Sequence, residues 1–181
     1  MVLHPVQLRP ARVSDASRIA QLSRRLIEQG LPWRWRPQRV ARLLAAPDHL
    51  SVVAHTTDGE IVGFAIMQII EQRADLLLCA VSPAQRRRGI GRRLLGWLER
   101  CAITAGTSSI RLEVRKKNRE AQSFYRHMGY SVVDRTPYYY SGREMALKMI
   151  RRLPGPNNDQ WSAARRLIAQ AIDEAVNKPP R

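Results

Sequence analysis

An unbroken apolar run, Leu76 to Val81, leads into a basic, glycine-containing loop and then into an amphipathic helix. A short continuous apolar run suits a strand that is buried on both faces of a sheet. The helix repeats apolar side chains at helical spacing from Ile90 onward and is expected to end at Gly106. The pattern predicts an α/β protein in which residues 75–81 form a central strand.

The other predicted elements lie on both sides of this unit. A first strand at Val6–Arg9 is followed by a helix that Asp15 would cap and Gly30 would end. Asp58-Gly59 is typical of a hairpin turn, here between antiparallel strands at 51–56 and 60–70. The remaining elements are a short helix at 40–44, a strand at 109–115, a helix at 118–128 and strands at 130–134 and 144–150. This order predicts a mixed sheet of about six to seven strands flanked by helices.

The 181 residues suffice for one domain, predicted at 1–153. Residues 154–181 begin with a linker rich in Pro, Gly and Asn, followed either by a docked amphipathic helix or by a loosely attached tail. The longest apolar run, 61–67, is too short to cross a bilayer and no signal stretch opens the chain, so we expect a cytoplasmic protein without membrane contact. Cys79 and Cys101 have no Cys or His at ligand spacing, which predicts reduced, buried packing residues and no metal.

The charge is unusual and uneven. The chain has 31 basic and 15 acidic residues, a net charge of +16, and residues 84–152 hold 17 basic against 5 acidic residues, which is +12. Such a field favours an anionic partner: nucleic acid, a ribosome surface or a phosphorylated cofactor. Composition does not choose among the three, and it does not indicate an oligomeric state.

The loop from Arg86 to Gly91 is the sharpest local signal. At a helix start several backbone N–H groups have no partner in the helix, and they can bind an anion together. Gly89 and Gly91 let the backbone approach a ligand, and arginine forks suit phosphate oxygens. The dinucleotide and Walker phosphate motifs both fail, because Leu94 and Trp97 stand where glycine and lysine are required. A solvated basic turn is the alternative interpretation.

Arg86, Gly89 and Gly91 form an R-x-x-G-x-G pattern that resembles the acetyl-CoA pyrophosphate loop of the GNAT superfamily of N-acetyltransferases. A second block, from Leu112-Glu113-Val114-Arg115 through Phe124-Tyr125 to Gly142-Arg143-Glu144, is similar to bacterial ribosomal-protein-alanine N-acetyltransferases. The resemblance covers residues 6–150 and implies the GNAT fold, with acetyl-CoA as cosubstrate in a cleft beside the central strand. The cofactor-binding residues that it implies are Cys79, Ala80 and Val81 on that strand, Arg86, Arg87, Arg88, Gly89, Ile90, Gly91 and Arg92 in the loop, and Asn118.

Acetyl transfer to an amine needs a base for the amine, donors for the oxyanion and an acid for the departing thiolate. The resemblance implies that Glu113 is the base and that Tyr125, 12 residues later, is the acid. Glu113 lies between Arg111 and Arg115, whose charges favour its ionised form. The alternatives are that Glu113 belongs to a solvated strand face and that Tyr125 only packs its helix on the sheet. Asn118 is expected to cap the helix in addition to binding the cofactor.

The resemblance places the acceptor beside two aromatic segments, which gives Trp33, Tyr138 and Tyr139 as candidate substrate-binding residues. Trp33 can equally well cover an edge of the core. The predicted activity is acetyl transfer to the α-amine of a protein N-terminus. One alternative is an acetyltransferase acting on a small amine or a lysine, and another is a basic module that binds RNA or the ribosome. A positive surface that brings the enzyme to ribosomes is compatible with the main prediction.

Overall fold

A computed structural model describes residues 5–140, 142 and 144–154. This part of the chain folds into one seven-stranded sheet and four helices, which confirms the predicted mixed α/β architecture. The strands are β1 Val6–Pro10, β2 His49–Thr56, β3 Ile61–Ile70, β4 Arg73–Val81, β5 Ser109–Arg115, β6 Ser131–Tyr140 and β7 Glu144–Arg152. The helices are α1 Ala16–Leu26, α2 Pro37–Ala45, α3 Ile90–Thr104 and α4 Arg119–His127.

The strand order in the sheet is β1-β2-β3-β4-β5-β7-β6, so β4 is the central strand, as predicted. β2 and β3 form the expected antiparallel hairpin, in which Gly59 adopts φ +84°. β4 and β5 are parallel, because α3 carries the chain back across the sheet between them. The other neighbouring pairs are antiparallel.

β4 and β5 separate halfway along their length. Their residues pair only from Arg73 with Ser109 to Leu76 with Leu112. Within the described strands, nothing pairs with the β5-facing edge of residues 77–81. The end of β4 is consequently half-buried from Cys79 to Val81, so the expectation that this strand is buried on both faces is wrong for its last residues. The sheet therefore contains a wedge-shaped opening at its centre.

Two apolar cores cover the two faces of the sheet. On one face, α3 and α4 pack on the sheet through buried side chains that include Leu94, Leu98 and Tyr125. On the other, α1 and α2 pack through Ile19 and Val40. β5 alternates between the faces: its apolar residues Ile110, Leu112 and Val114 join the α3/α4 core, and Arg111, Glu113 and Arg115 point to the α1/α2 side.

The ends of α1 differ from the sequence prediction. Asp15 precedes the helix, but its side chain makes no capping hydrogen bond and instead accepts from Arg9 and from the backbone N–H of Arg12. The helix ends at Leu26 and not at Gly30, because Glu28 turns inward and holds the following loop.

β6 is longer than predicted and reaches Tyr140. Its register shifts between Thr136 and Tyr140, so Pro137, Tyr138 and Tyr139 bulge out of the ladder. Proline is tolerated here because β6 is an edge strand of the sheet and Pro137 lies in its bulge. At the other end of the hairpin, Leu153 is buried and donates its N–H to Ser108. The linker and helix predicted for the tail lie outside the described residues, apart from residue 154.

Candidate active site

The start of α3 has the backbone geometry of an anion site. The first helical hydrogen bond runs from the N–H of Arg93 to the carbonyl of Gly89, so the N–H groups of Ile90, Gly91 and Arg92 have no partner within the helix. Gly89 adopts φ +72°, which favours glycine and turns the chain into the helix. A Cβ at Gly89 would meet nothing within 4 Å, so this side of the loop is open.

The arginines of the loop are placed differently from one another. Arg86 donates to Glu120 of α4 at 2.9 Å and to the carbonyl of Val81 at 3.3 Å, so it links the loop to α4. Arg88 donates to Gln85, while Arg87 and Arg92 are exposed. The structure thus brings Arg86 to the gap between α3 and α4.

The open edge of β4 lies next to this loop. Ser82 donates its N–H to Val62 of β3. Because strand residues alternate in direction, Cys79 and Val81 direct their N–H and carbonyl groups away from β3 and into the wedge. The predicted segment from Cys79 to Val81 therefore directs backbone groups into the wedge that an extended chain of amides can bind, although the carbonyl of Val81 also accepts from Arg86.

Tyr125 of α4 lies behind that edge. Its phenol lies close enough to the thiol of Cys79 for each group to affect the ionisation of the other, and its ring packs edge-on against Tyr130 at 5.7 Å. Burial, with a smaller contribution from the neighbouring Cys79, raises the pKa of Tyr125 well above its usual value. Burial also raises the pKa of Cys79 to about 12. Both groups are consequently protonated at neutral pH, so Tyr125 can donate a proton and Cys79 is a poor nucleophile.

Glu113 lies on the α1/α2 side of the same wedge and is exposed. Tyr139 lies close enough to this carboxylate to be affected by it: burial, and after it the Glu113 carboxylate, raise the pKa of Tyr139 to about 12. The two flanking arginines form ion pairs with carboxylates other than Glu113. Arg111 binds Asp75 at 3.3 Å, and Arg115 binds Glu144 at 2.6 Å, because both side chains reach across to neighbouring strands.

The two aromatic segments predicted to meet the acceptor converge near Glu113. Arg34 is close enough to Tyr139 to affect its ionisation, which places the loop of residues 31–36 beside the end of β6. Tyr138 is 75% exposed and Tyr139 42% exposed. Trp33 is half-buried against the α1/α2 core, and its indole N–H donates to the carbonyl of Trp35 at 3.1 Å. Trp33 therefore covers an edge of the α1/α2 core, which is the alternative interpretation given for it above.

Glu28 is a further residue of the site that was not predicted from the sequence. This carboxylate is 4% exposed and accepts the backbone N–H groups of Arg34 at 2.6 Å and Trp35 at 3.2 Å, together with the hydroxyl of Ser23. It fixes the loop of residues 31–36 from inside. The only signal in the sequence is an acidic residue just after an amphipathic helix, and its backbone partners leave no side-chain pattern.

Asn118 caps α4, as predicted: its side-chain oxygen accepts from the N–H of Ala121 at 3.0 Å. Both cysteines are free and half-buried, where full burial was expected. Among the described residues there is no group of three or more metal-ligating side chains, and no helix is long and apolar enough to cross a membrane.

Comparison with known proteins identifies the family. Residues 20–130 match the Acetyltransferase (GNAT) family. The chain is 33% identical over 140 residues to the N-alpha-acetyltransferase RimI of Mycobacterium tuberculosis, covering 75% of this chain and 85% of that protein. The chain therefore belongs to the GNAT acetyltransferase family, and its sheet with a central wedge is the GNAT fold.

Two further similarities extend this result. The crystal structure of the ribosomal-protein-S18-alanine N-acetyltransferase from Escherichia coli superposes with a TM-score of 0.73 at 25% identity, covering 85% of this chain and 97% of that one. An uncharacterized protein of Mycobacterium leprae, ML0378, is 32% identical over 152 residues, or 82% of this chain. The chain spans only 41% of the length of that relative.

Proposed function

We propose that the protein transfers an acetyl group from acetyl-CoA to the α-amine of a protein N-terminus. The observation that carries this proposal is the arrangement around the wedge between β4 and β5. A protonated phenol, Tyr125, lies behind the open edge of β4, and an exposed carboxylate, Glu113, lies on the other side of the sheet. A proton donor and a proton acceptor therefore border one opening.

The residues around the wedge fit acetyl-CoA. The backbone N–H groups of Ile90, Gly91 and Arg92 suit a pyrophosphate, and Arg86, Arg87 and Arg88 add charge beside them. The wedge-facing backbone groups of Cys79 and Val81 suit the amides of the pantetheine arm, with Ala80 between them, and Asn118, which caps α4, is proposed as a further contact. Acetyl-CoA, when bound, supplies an acetyl group activated as a thioester.

The chain's own groups handle the protons. Glu113 accepts the proton of the acceptor amine, directly or through one water, and Tyr125 donates a proton to the departing sulfur. Transfer is direct, because burial keeps Cys79 a thiol at neutral pH and no base is recorded beside it among the residues that the structure describes.

An α-amine is the acceptor best matched to this site. It titrates at about 8, whereas a lysine side chain titrates at about 10.4, a difference in deprotonation of about 3.4 kcal/mol. A single carboxylate can therefore deprotonate an α-amine more readily than it can deprotonate a lysine side chain. Tyr138 and Tyr139 are exposed, which suits contact with an extended peptide, and the half-buried Trp33 is proposed as a third contact.

Mass spectrometry tests the choice of acceptor. The purified protein is incubated with acetyl-CoA and a panel of peptides. Half of the peptides have a free α-amine and a blocked lysine, and the other half have a blocked α-amine and a free lysine. Polyamines and aminoglycosides are tested in parallel. We expect mass gains of one acetyl group on the free α-amines. Acetylation confined to lysines or small amines would support the alternative acceptors, and tight, salt-sensitive RNA binding without any acetylation would support the binding module.

Recruitment to ribosomes is a further part of the proposal. The +12 charge of residues 84–152 would attract the enzyme to a polyanionic surface where new N-termini are plentiful. The cytoplasmic location predicted from the sequence is consistent with this and stays a prediction. Co-sedimentation with ribosomes at two salt concentrations would test it.

A further inference from the structure

A basic cavity of about 660 Å³ opens beside the proposed acceptor site. Its walls come from the start of the loop after α1, the turn between β5 and α4, and the end of the β6–β7 hairpin. The charged side chains among the lining residues are Arg115, Lys116, Lys117, Arg119 and Glu144. Four basic residues and one acidic residue leave this cavity with a net charge of +3.

The single carboxylate of the cavity is already neutralised. Glu144 accepts from Arg115 at 2.6 Å and lies 3.0 Å from the ammonium of Lys117. Burial acts in the opposite direction, but these hydrogen bonds hold the pKa of Glu144 below its usual value. Two cations in the lining, Lys116 and Arg119, are exposed and have no carboxylate within ion-pair distance among the described residues.

The cavity lies next to the site around Glu113. Arg115 follows Glu113 by two residues on β5 and points to the same side of the sheet. Tyr140 lines the cavity and also lies close enough to the Glu113 carboxylate for that charge to raise its pKa, after the larger effect of burial. Two strand residues span about 7 Å, so a peptide whose amine is at Glu113 reaches the cavity with its next few residues.

We infer that this cavity binds acidic side chains at the second to fourth positions of the acceptor N-terminus. The inference rests on the proposed function and specifies its substrate class. Carboxylates entering the cavity meet Lys116 and Arg119, which have no carboxylate partner among the described residues, beside Arg115 and Lys117, which already bind Glu144. Basic side chains at the same positions are repelled by the net positive charge. Arg34, beside Tyr139 at the opening, adds to the positive field along the path.

The test uses peptides that share the same first residue and differ at positions 2–4, which are Asp/Glu, Ser/Gln or Lys/Arg. With the wild-type protein and saturating acetyl-CoA, we expect kcat/KM to be about tenfold higher for acidic than for neutral peptides and lower still for basic ones. The preference should shrink as salt increases, because exposed charges are screened.

The variant Lys116→Glu sharpens the test, with Arg100→Glu as its control. Arg100 is an exposed residue of α3 near β1, at the far edge of the sheet from the cavity, and undergoes the same charge change. Lys116→Glu should lower the ratio of acidic to neutral kcat/KM by about tenfold, and Arg100→Glu should leave that ratio unchanged.

The outcomes separate the two proposals. Acetylation of all three peptide classes with equal kcat/KM by the wild-type protein overturns this inference alone. A Lys116→Glu variant that raises the KM for acetyl-CoA, with an unchanged peptide ratio, also overturns it, because the cavity would then serve the cosubstrate. No acetylation of any peptide overturns the proposed function and this inference with it.

Discussion

A Cβ atom at Gly91 would lie 3.3 Å from Cζ of Phe124, so α3 and α4 meet without room for a methyl group between them. This contact sets the distance between the proposed phosphate loop and the helix that carries Tyr125. Gly91 is therefore needed for packing as well as for access of a ligand to the backbone.

Two alanine substitutions in α3 separate these effects. Gly96→Ala meets only the flexible end of Arg100, at 3.8 Å, and should raise the free energy of unfolding by about 0.5–1 kcal/mol through helix propensity. Gly91→Ala also adds a methyl group, but this one would press on the ring of Phe124. The Gly91→Ala variant should therefore be at least about 1 kcal/mol less stable than the Gly96→Ala variant. Urea denaturation measures the free energy of unfolding of both variants. Equal values would show that α4 shifts to accommodate the methyl group at residue 91 without an energetic cost.

Removal of either proposed proton-transfer group should slow turnover. We expect Glu113→Gln and Tyr125→Phe each to lower kcat by about a hundredfold or more, with little change in the affinity for acetyl-CoA. Tyr130→Phe is the matched control, because it removes a neighbouring buried phenol that donates to Glu99 at 3.4 Å. Steady-state kinetics with calorimetry tests this, and near-normal turnover in both variants would remove the assigned roles.

Glu28→Ala should loosen the loop of residues 31–36. It leaves the N–H groups of Arg34 and Trp35 without their carboxylate, at a cost of about 1–3 kcal/mol. We expect the KM for the acceptor peptide to rise several-fold while the KM for acetyl-CoA stays constant. Gln29→Ala is the control, since this exposed neighbour contributes its backbone carbonyl to Arg115. If the two variants have the same KM for the peptide, Glu28 does not position the acceptor loop.

The ion pair of Asp15 and Arg9 should make stability depend on pH. Hydrogen bonds from Arg9, opposed by burial, hold the pKa of Asp15 below its usual value of 3.8. A carboxyl whose pKa is depressed by folding stabilises the protein above its unfolded-state pKa, and this contribution is lost as the pH falls through the folded-state pKa.

Asp15→Asn should accordingly lower the free energy of unfolding by about 1–3 kcal/mol at pH 7, and by progressively less as the pH is lowered toward 3. Denaturation across this range tests the dependence, with Glu71→Gln at an exposed turn as the control. A difference between wild type and Asp15→Asn that is constant with pH would show that the carboxylate's charge is not responsible.

The elements were predictable where a local pattern determines them. The continuous apolar run at 76–81, the Asp58-Gly59 turn and the strict alternation of 109–115 each specify a structure from neighbouring residues, and each appears in the fold. The end of α1 at Leu26 was not predictable, because it depends on a bond from Glu28 to the backbone of a loop six residues later.

In the candidate site, too, the features that neighbouring residues determine were predictable, and those that depend on distant contacts were not. The backbone loop at Gly89 was evident from residue types, and so was the capping role of Asn118. The partners of Arg111 and Arg115 were not, because Asp75 and Glu144 are on adjacent strands and become neighbours only through the sheet register. The cavity beside Glu144 is a product of three separate segments, and the sequence alone contains no signal for it.

The most direct measurement is isothermal titration calorimetry of acetyl-CoA binding to the purified chain. The account predicts one site per chain with a dissociation constant of about 1 μM to 1 mM, in the range usual for KM values. It also predicts weaker binding in Arg86→Ala, because the Arg86 guanidinium lies at the end of β4, where it donates to the carbonyl of Val81. No detectable heat at millimolar acetyl-CoA would contradict the assignment of the wedge and the loop after Val81 to this cosubstrate.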